Sequence, residues 1–122
     1  MRDPVNDASC EMLGDFFSTL AHRTRMRILC ALQREARTVT QISESAGISI
    51  TNASQHLRIM RERGAVVAEK RAQSVYYQIA DPRMLDAMRL IRDALSERLR
   101  QEAEWTSSRG TRRVNSRILQ NA

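Results

Sequence analysis

At Gly64 the hydrophobic pattern of the chain changes from helical spacing to segments typical of β-strands, and few folds combine the two in this order. Before it, four apolar residues recur at the spacing of a helix that buries one face: Ile50, Ala53, Leu57 and Met60. After it, β-branched and aromatic residues fill segments 65–70 and 75–79, which predicts two strands joined by a short basic turn. The pattern predicts a mainly α fold that carries a small β-hairpin.

Three shorter helical patterns precede this helix. They are expected at about residues 9–21, at about 23–35, and from Thr38 to Gly47. Thr38 stands three residues before Gln41, the spacing of a capping box, and Gly47 is suited to end the third helix. Ser49 then caps the fourth helix, so a short helix, a glycine turn and a second helix form a helix-turn-helix.

The last helix is expected to begin at Asp81-Pro82, with Asp as the cap and Pro in the first turn. Its apolar stripe is long: Met84, Met88, Ile91, Leu95 and Leu99. We expect three regions in the chain: a flexible N-terminus at 1–8, one folded domain at 9–105, and a disordered basic tail at 106–122.

The polar face of the fourth helix carries short hydrogen-bonding groups rather than the Glu/Lys mixture of a solvated helix. They are Thr51, Asn52, Ser54 and Gln55, which both donate and accept hydrogen bonds, as recognition of base edges requires. Arg58, Arg61 and Arg63 lie further along and suit phosphates better than bases. Lys70, Arg71 and Gln73 lie at the hairpin tip, a wing that can reach the DNA backbone or minor groove.

Overall charge agrees with a polyanionic partner. The 122 residues include 20 basic and 14 acidic ones, a formal net charge of +6. We find no signal peptide or membrane span, which predicts a cytoplasmic protein. No nucleophile stands with a plausible base, and phosphate-loop, metal and cofactor motifs are lacking, so we expect neither an enzyme nor a cofactor.

Three segments resemble the ArsR/SmtB family of bacterial winged-helix repressors. They are "LAHRTRMRILCAL" (20–32), "ISITNASQHLRIMRERGAVV" (48–67) and "VYYQIADP" (75–82). The resemblance implies a homodimer through the first and last helices, an inverted-repeat operator in double-stranded DNA, and release by an inducer. By the family pattern, Ser49 and His56 join the DNA-facing set Thr51, Asn52, Ser54 and Gln55. The chain departs from the pattern at Ile50, where we expect a core residue rather than a contact to a thymine methyl.

The family's metal sites are not matched by this chain. Its third helix, "TQISESAG", lacks the Cys pair of metal-sensing members, and its last helix has acids but no His. The two histidines have other expected roles: His22 bonds a helix terminus and His56 contacts DNA. We therefore predict no metal site.

Cys10 and Cys30 are the remaining candidate sensors. Cys30 resembles in position a reactive cysteine of redox- and sulfide-responsive members, whose partner thiol lies on the last helix. This chain has no cysteine there, so Cys10 is the only replacement for a thiol switch. Two alternatives stay open: structural cysteines with a small-molecule or metalloid inducer, and a winged-helix module that binds protein rather than DNA.

Overall fold

The structure, a computed structural model, describes residues 6–109. Its elements in chain order are α1 (Asp7–Leu20), α2 (Arg23–Ala31), β1 (Arg37–Thr38), α3 (Val39–Ala46), α4 (Ile50–Glu62), β2 (Val66–Arg71), β3 (Ser74–Ile79) and α5 (Pro82–Arg109). Contacts divide the chain into two units, one ending at Leu85 and one beginning at Asp86. The predicted fold class, mainly α with a small β wing, is confirmed.

The core of the first unit forms where α4 packs on α2, α3 and the sheet. Ala53, Leu57 and Met60 of α4 are fully buried, because spacings of four and three residues place them on one helix face. Ile28 of α2 and Ile42 of α3 are equally buried. Each large apolar side chain removed from water in this way stabilises the fold by about 1.5–3 kcal/mol.

The helix-turn-helix has the ends that the sequence predicts. The Thr38 hydroxyl accepts from the Gln41 backbone N–H at 3.3 Å, and the Gln41 side chain accepts from the Thr38 N–H at 3.0 Å. Gly47 ends α3 in the left-handed region, at φ +70°. Ser49 caps α4 by accepting from the Asn52 N–H at 3.0 Å. These bonds fix where α4 begins and how it leaves the turn.

The wing is part of a three-stranded antiparallel sheet in the order β1-β3-β2. Arg71 pairs with Ser74, which leaves a two-residue turn at the tip of the hairpin. In β1, Arg37 pairs with Tyr77, so β3 is the central strand. Strand β1 was not predicted from the sequence, because two residues are too few to show a strand period.

Several predicted boundaries are corrected by the structure. Helix α1 begins at Asp7, inside the expected flexible segment 1–8, because the Asn6 side chain caps it by accepting from the Ser9 N–H at 2.9 Å. Helix α2 ends at Ala31 rather than at about residue 35. The strands lie at 66–71 and 74–79, one residue from their expected bounds.

The C-terminal boundary also moves. Asp81 begins α5 as expected, accepting from the Arg83 backbone N–H at 2.9 Å. Helix α5 then continues through Arg109, past the expected domain end at 105, because paired charges and apolar residues continue the helical pattern. The segments 1–5 and 110–122, including most of the expected basic tail, lie outside the described residues.

Ile50 is not a core residue, contrary to the prediction. Its side chain is 50% exposed, whereas Ala53, one turn later, is fully buried. The buried stripe of α4 therefore begins at Ala53, and Ile50 lies in the first turn beyond it.

Candidate nucleic-acid interface

The outer face of α4 presents the predicted polar side chains to solvent. Thr51, Asn52, Ser54, Gln55 and Arg58 are all exposed, on the side of the helix away from its buried stripe. Ser49 is exposed too, and although its oxygen accepts the capping bond, its hydroxyl hydrogen remains free to donate. The structure thus places these five side chains on one exposed face of α4, with Ser49 at its N-terminal cap.

The predicted wing residues Lys70, Arg71 and Gln73 are exposed around the hairpin turn. The Arg71 guanidinium lies 4.9 Å from the centroid of the Tyr76 ring and contacts the Glu69 carboxylate at 3.3 Å. Its position is therefore held by two neighbours on the same hairpin, while the wing tip itself turns at Ala72, at φ +53°.

His56 lies at the margin of the exposed face of α4, and its predicted DNA contact stays a prediction. Its ring is half-buried, with its centroid 4.7 Å from that of His22, and its Nδ1 accepts from Arg25 Nε at 3.2 Å. Burial, then the neighbouring charges of His22 and Arg25, lower the pKa of His56 below its ordinary value of 6.5. His22 has its expected role, since its Nδ1 accepts from the Thr24 N–H at 3.1 Å and caps α2.

A cleft of about 430 Å³ opens beside the C-terminal half of α4. Arg58, Arg61, Glu62 and Tyr77 line it. The two guanidinium groups and the tyrosine hydroxyl can donate to phosphate oxygens, and Glu62 adds one opposing carboxylate. Arg58 and Arg61 were expected from the sequence to suit phosphates, whereas Tyr77 could not be predicted, because its position beside α4 depends on β3 being the central strand.

The described arginines differ in their partners according to the helix that carries them. On α5, each of five arginines contacts a carboxylate: Arg83, Arg89, Arg92, Arg98 and Arg100. Within residues 6–109, no carboxylate lies within ion-pair distance of Arg58, Arg61 or Arg63. The positive charge at the end of α4 is therefore available to an external anion, whereas that of α5 is matched locally.

The two candidate sensor cysteines lie on different helices. Cys10 on α1 and Cys30 on α2 are both exposed free thiols. Among the described residues, no group of three or more His, Cys, Asp or Glu side chains could hold a metal ion. The described helices also include none long and apolar enough to cross a membrane.

Known proteins share this arrangement. Residues 20–69 match the family model of a helix-turn-helix domain. A homologue of the transcriptional repressor SmtB from Synechocystis is 31% identical over 87 residues, which make up 71% of this chain and 66% of that protein. The chain belongs to the ArsR/SmtB family. Because this family consists of DNA-binding transcriptional regulators, the chain is a regulator and not an enzyme.

Solved structures place the ArsR/SmtB chain among winged helix-turn-helix proteins. The crystal structure of Rv0081 from Mycobacterium tuberculosis aligns with a TM-score of 0.72 at 29% identity, covering 80% of this chain and 99% of that one. The homodimeric winged helix-turn-helix DNA-binding domain of Mb0332 from Mycobacterium bovis aligns with a TM-score of 0.71 at 25% identity, covering 82% and 95%.

Proposed function

We propose that this ArsR/SmtB protein is a sequence-specific repressor that binds an inverted-repeat operator as a homodimer and is released by an inducer. The observation that carries the proposal is the exposed hydrogen-bonding face of α4, which continues into arginines without carboxylate partners. A protein that binds chromosomal DNA acts in the cytoplasm, which agrees with the location expected from the sequence.

The side chains divide by the part of DNA that they suit. Thr51, Asn52, Ser54 and Gln55 have the donors and acceptors that base edges in the major groove require. Arg58, Arg61 and Tyr77 suit phosphates, and they flank a cleft wide enough for one. Lys70, Arg71 and Gln73 extend the contact to the backbone next to the wing.

Exposed apolar side chains support the homodimer. On α1, Met12 is 66% exposed, and Leu13 and Phe17 are exposed with it. On α5, Leu95 is 59% exposed, and Leu90 and Ile91 are also exposed. Apolar surfaces of this kind on two helices mark interaction sites. In a homodimer each chain contributes its α4 as a reading helix, the helix that contacts base edges. The two reading helices then meet two half-sites about one helical turn apart.

Gln55→Ala tests the assignment of the α4 face. We expect the preference for DNA from the protein's own upstream region over scrambled DNA to fall about tenfold, because a bidentate base contact is lost. Fluorescence anisotropy at one fixed salt concentration measures both affinities. Gln33→Ala, the same change at an exposed position outside α4, should leave the preference intact.

Two results would count against the proposal. An unchanged preference in Gln55→Ala would mean that this face does not read bases. Equal, salt-insensitive affinity of the unmodified protein for both DNAs would instead favour a protein-binding module, since phosphate contacts make DNA binding steeply salt-dependent.

For the inducer, we propose a thiol switch at Cys10 and Cys30. Both thiols are exposed, so a reagent in solution can reach them. In the simplest step, a low-molecular-weight disulfide accepts two electrons from the two thiols. It is reduced to two thiols as the Cys10–Cys30 disulfide forms, within or between chains.

Operator binding before and after treatment with such a disulfide, or with a polysulfide donor, tests the switch. Release of the unmodified protein together with retention of Cys30→Ser on DNA is the expected result. If both stay bound, the cysteines are structural and the inducer is a small molecule or a metalloid.

A further inference from the structure

One guanidinium, that of Arg25, bonds to two other helices. It lies in the first turn of α2 and is half-buried. Its Nη1 donates to the backbone carbonyl of Thr19, near the end of α1, at 2.8 Å. Its Nε donates to Nδ1 of His56, in the middle of α4, at 3.2 Å. Arg25 therefore links His56 of α4 to the C-terminal end of α1 through two hydrogen bonds.

The bond to His56 requires one protonation state of the imidazole. A guanidinium group only donates hydrogen bonds, so Nδ1 of His56 must keep its lone pair and any ring proton must lie on Nε2. Nδ1 of the neighbouring His22 must also keep its lone pair, because it accepts a hydrogen bond from the Thr24 N–H. A proton added to Nδ1 of His56 would point at Arg25 and end the bond.

We propose that Arg25 is a positioning residue for DNA binding, which holds α4 in place through neutral His56 and releases it when His56 is protonated. This inference rests on the proposed function, since His56 follows Gln55 directly on the reading helix. Contact with DNA is not required of Arg25 or His56. Instead, Arg25 and His56 keep α4 in the position in which its exposed polar face can contact DNA.

The surroundings of His56 favour its neutral form. Burial, His22 and Arg25 each lower the pKa of His56 below 6.5. The titratable or charged groups that act on it are His22, which caps α2, and Arg25, in the first turn of α2; Arg25 in turn donates to the Thr19 carbonyl of α1. The native protein thus binds fewer protons here than the unfolded chain. This contribution to stability is present above pH 6.5 and is lost as the pH falls below it.

The sign of the pH effect separates this role from a direct DNA contact. If His56 faced a phosphate, its protonation would add a positive charge at the interface and tighten binding. If His56 serves as the acceptor for Arg25, protonation loosens α4 and weakens recognition of the operator.

The first test compares the unmodified protein with His56→Gln, whose amide oxygen can accept from Arg25 but does not titrate. Affinities for DNA from the protein's own upstream region and for scrambled DNA are measured at about pH 7.5 and about pH 5.5, at constant ionic strength. We expect the unmodified protein to lose about fivefold more affinity for its own DNA on acidification than His56→Gln does, the effect of one hydrogen bond. Circular dichroism at both pH values confirms that both proteins stay folded.

Parallel losses in the two proteins, or tighter binding by the unmodified protein at low pH, would overturn the inference. Either result leaves the proposed function standing if the preference for its own DNA persists at the higher pH. Absence of that preference at the higher pH would overturn the proposed function itself.

An NMR titration of the histidine rings gives a second test of the proposal. The chain has two histidines, so the ring signals of His56 in an NMR titration are those missing from His56→Gln. Because neutral His56 favours the DNA-binding arrangement, we expect bound operator to move its titration midpoint to lower pH. A shift to higher pH would assign His56 to a phosphate contact, and an unchanged midpoint would show that the Arg25–His56 bond is not coupled to DNA binding.

Discussion

At the scale of single residues, the side chains that lie near each other in sequence differ in what they contact. Gln55 is exposed on the outer face of α4, whereas the next residue, His56, is half-buried against His22. The sequence pattern predicts the polar face of α4, but it cannot assign residues at its margin, because their exposure depends on helices that pack from elsewhere in the chain. Ile50, which was predicted to be a core residue, is exposed for this reason, and His56 lies half-buried at the margin of the face.

Arg61→Ala should weaken binding to every DNA sequence about equally and lower the slope of log affinity against log salt by about one. The reason is that Arg61 lines the cleft beside α4 without a carboxylate partner and is expected to contact a phosphate. Fluorescence anisotropy over a series of salt concentrations measures the slope. Arg92→Ala is the matched control, because Arg92 already contacts Asp93 at 2.8 Å, and its removal should leave the slope unchanged.

Among the helices and strands, three capped starts were predicted, whereas the Asn6 cap of α1 and the boundaries without a cap were missed. Thr38, Ser49 and Asp81 begin helices in the structure as the sequence indicates. The end of α2 at Ala31 has no glycine or proline beside it, and β1 is defined only by its pairing with β3. Local hydrogen bonds can be predicted from neighbouring residues, whereas strand pairing between distant segments cannot.

Gly47→Ala should lower the free energy of unfolding by about 1 kcal/mol, because a side chain at φ +70° is strained. No atom lies within 4 Å of the added Cβ, so the backbone conformation alone accounts for the cost. Urea unfolding followed by circular dichroism measures the change.

Gly14→Ala is the control for this substitution. The added Cβ again meets nothing within 4 Å, but Gly14 lies inside α1 and has an ordinary helical backbone. This variant should therefore gain about 0.5–1 kcal/mol of stability. Equal effects of the two substitutions would contradict the assignment of Gly47 as the αL residue between α3 and α4.

At the scale of the whole molecule, apolar exposure points to assembly. The first unit buries a continuous core from α2, α3, α4 and β2, yet α1 keeps Met12 and Phe17 exposed, and α5 keeps Leu90 and Leu95 exposed. The sequence shows the apolar stripes of these two helices but not whether one chain buries them. The exposed areas in the structure support the homodimer that the family resemblance implies.

Leu95→Glu should convert the dimer into monomers, because a carboxylate would have to be buried in the interface. Sedimentation velocity measures the oligomeric state, and operator affinity should fall with the loss of the second reading helix. Ser96→Glu adds the same charge to the next residue of α5, outside the apolar stripe, and should remain dimeric. A Leu95→Glu protein that stays dimeric would exclude this face as the interface.

Binding of operator DNA by α4 and the wing is tested most directly by comparing backbone amide signals in NMR spectra with and without that DNA. We expect the largest shifts at residues 49–58 of the turn and α4 and at 70–74 of the hairpin tip, with smaller shifts along α5. Scrambled DNA should shift the hairpin and the end of α4 but leave Gln55 and its exposed neighbours nearly unchanged. Shifts concentrated on α5, with α4 unaffected by operator DNA, would contradict DNA recognition by α4.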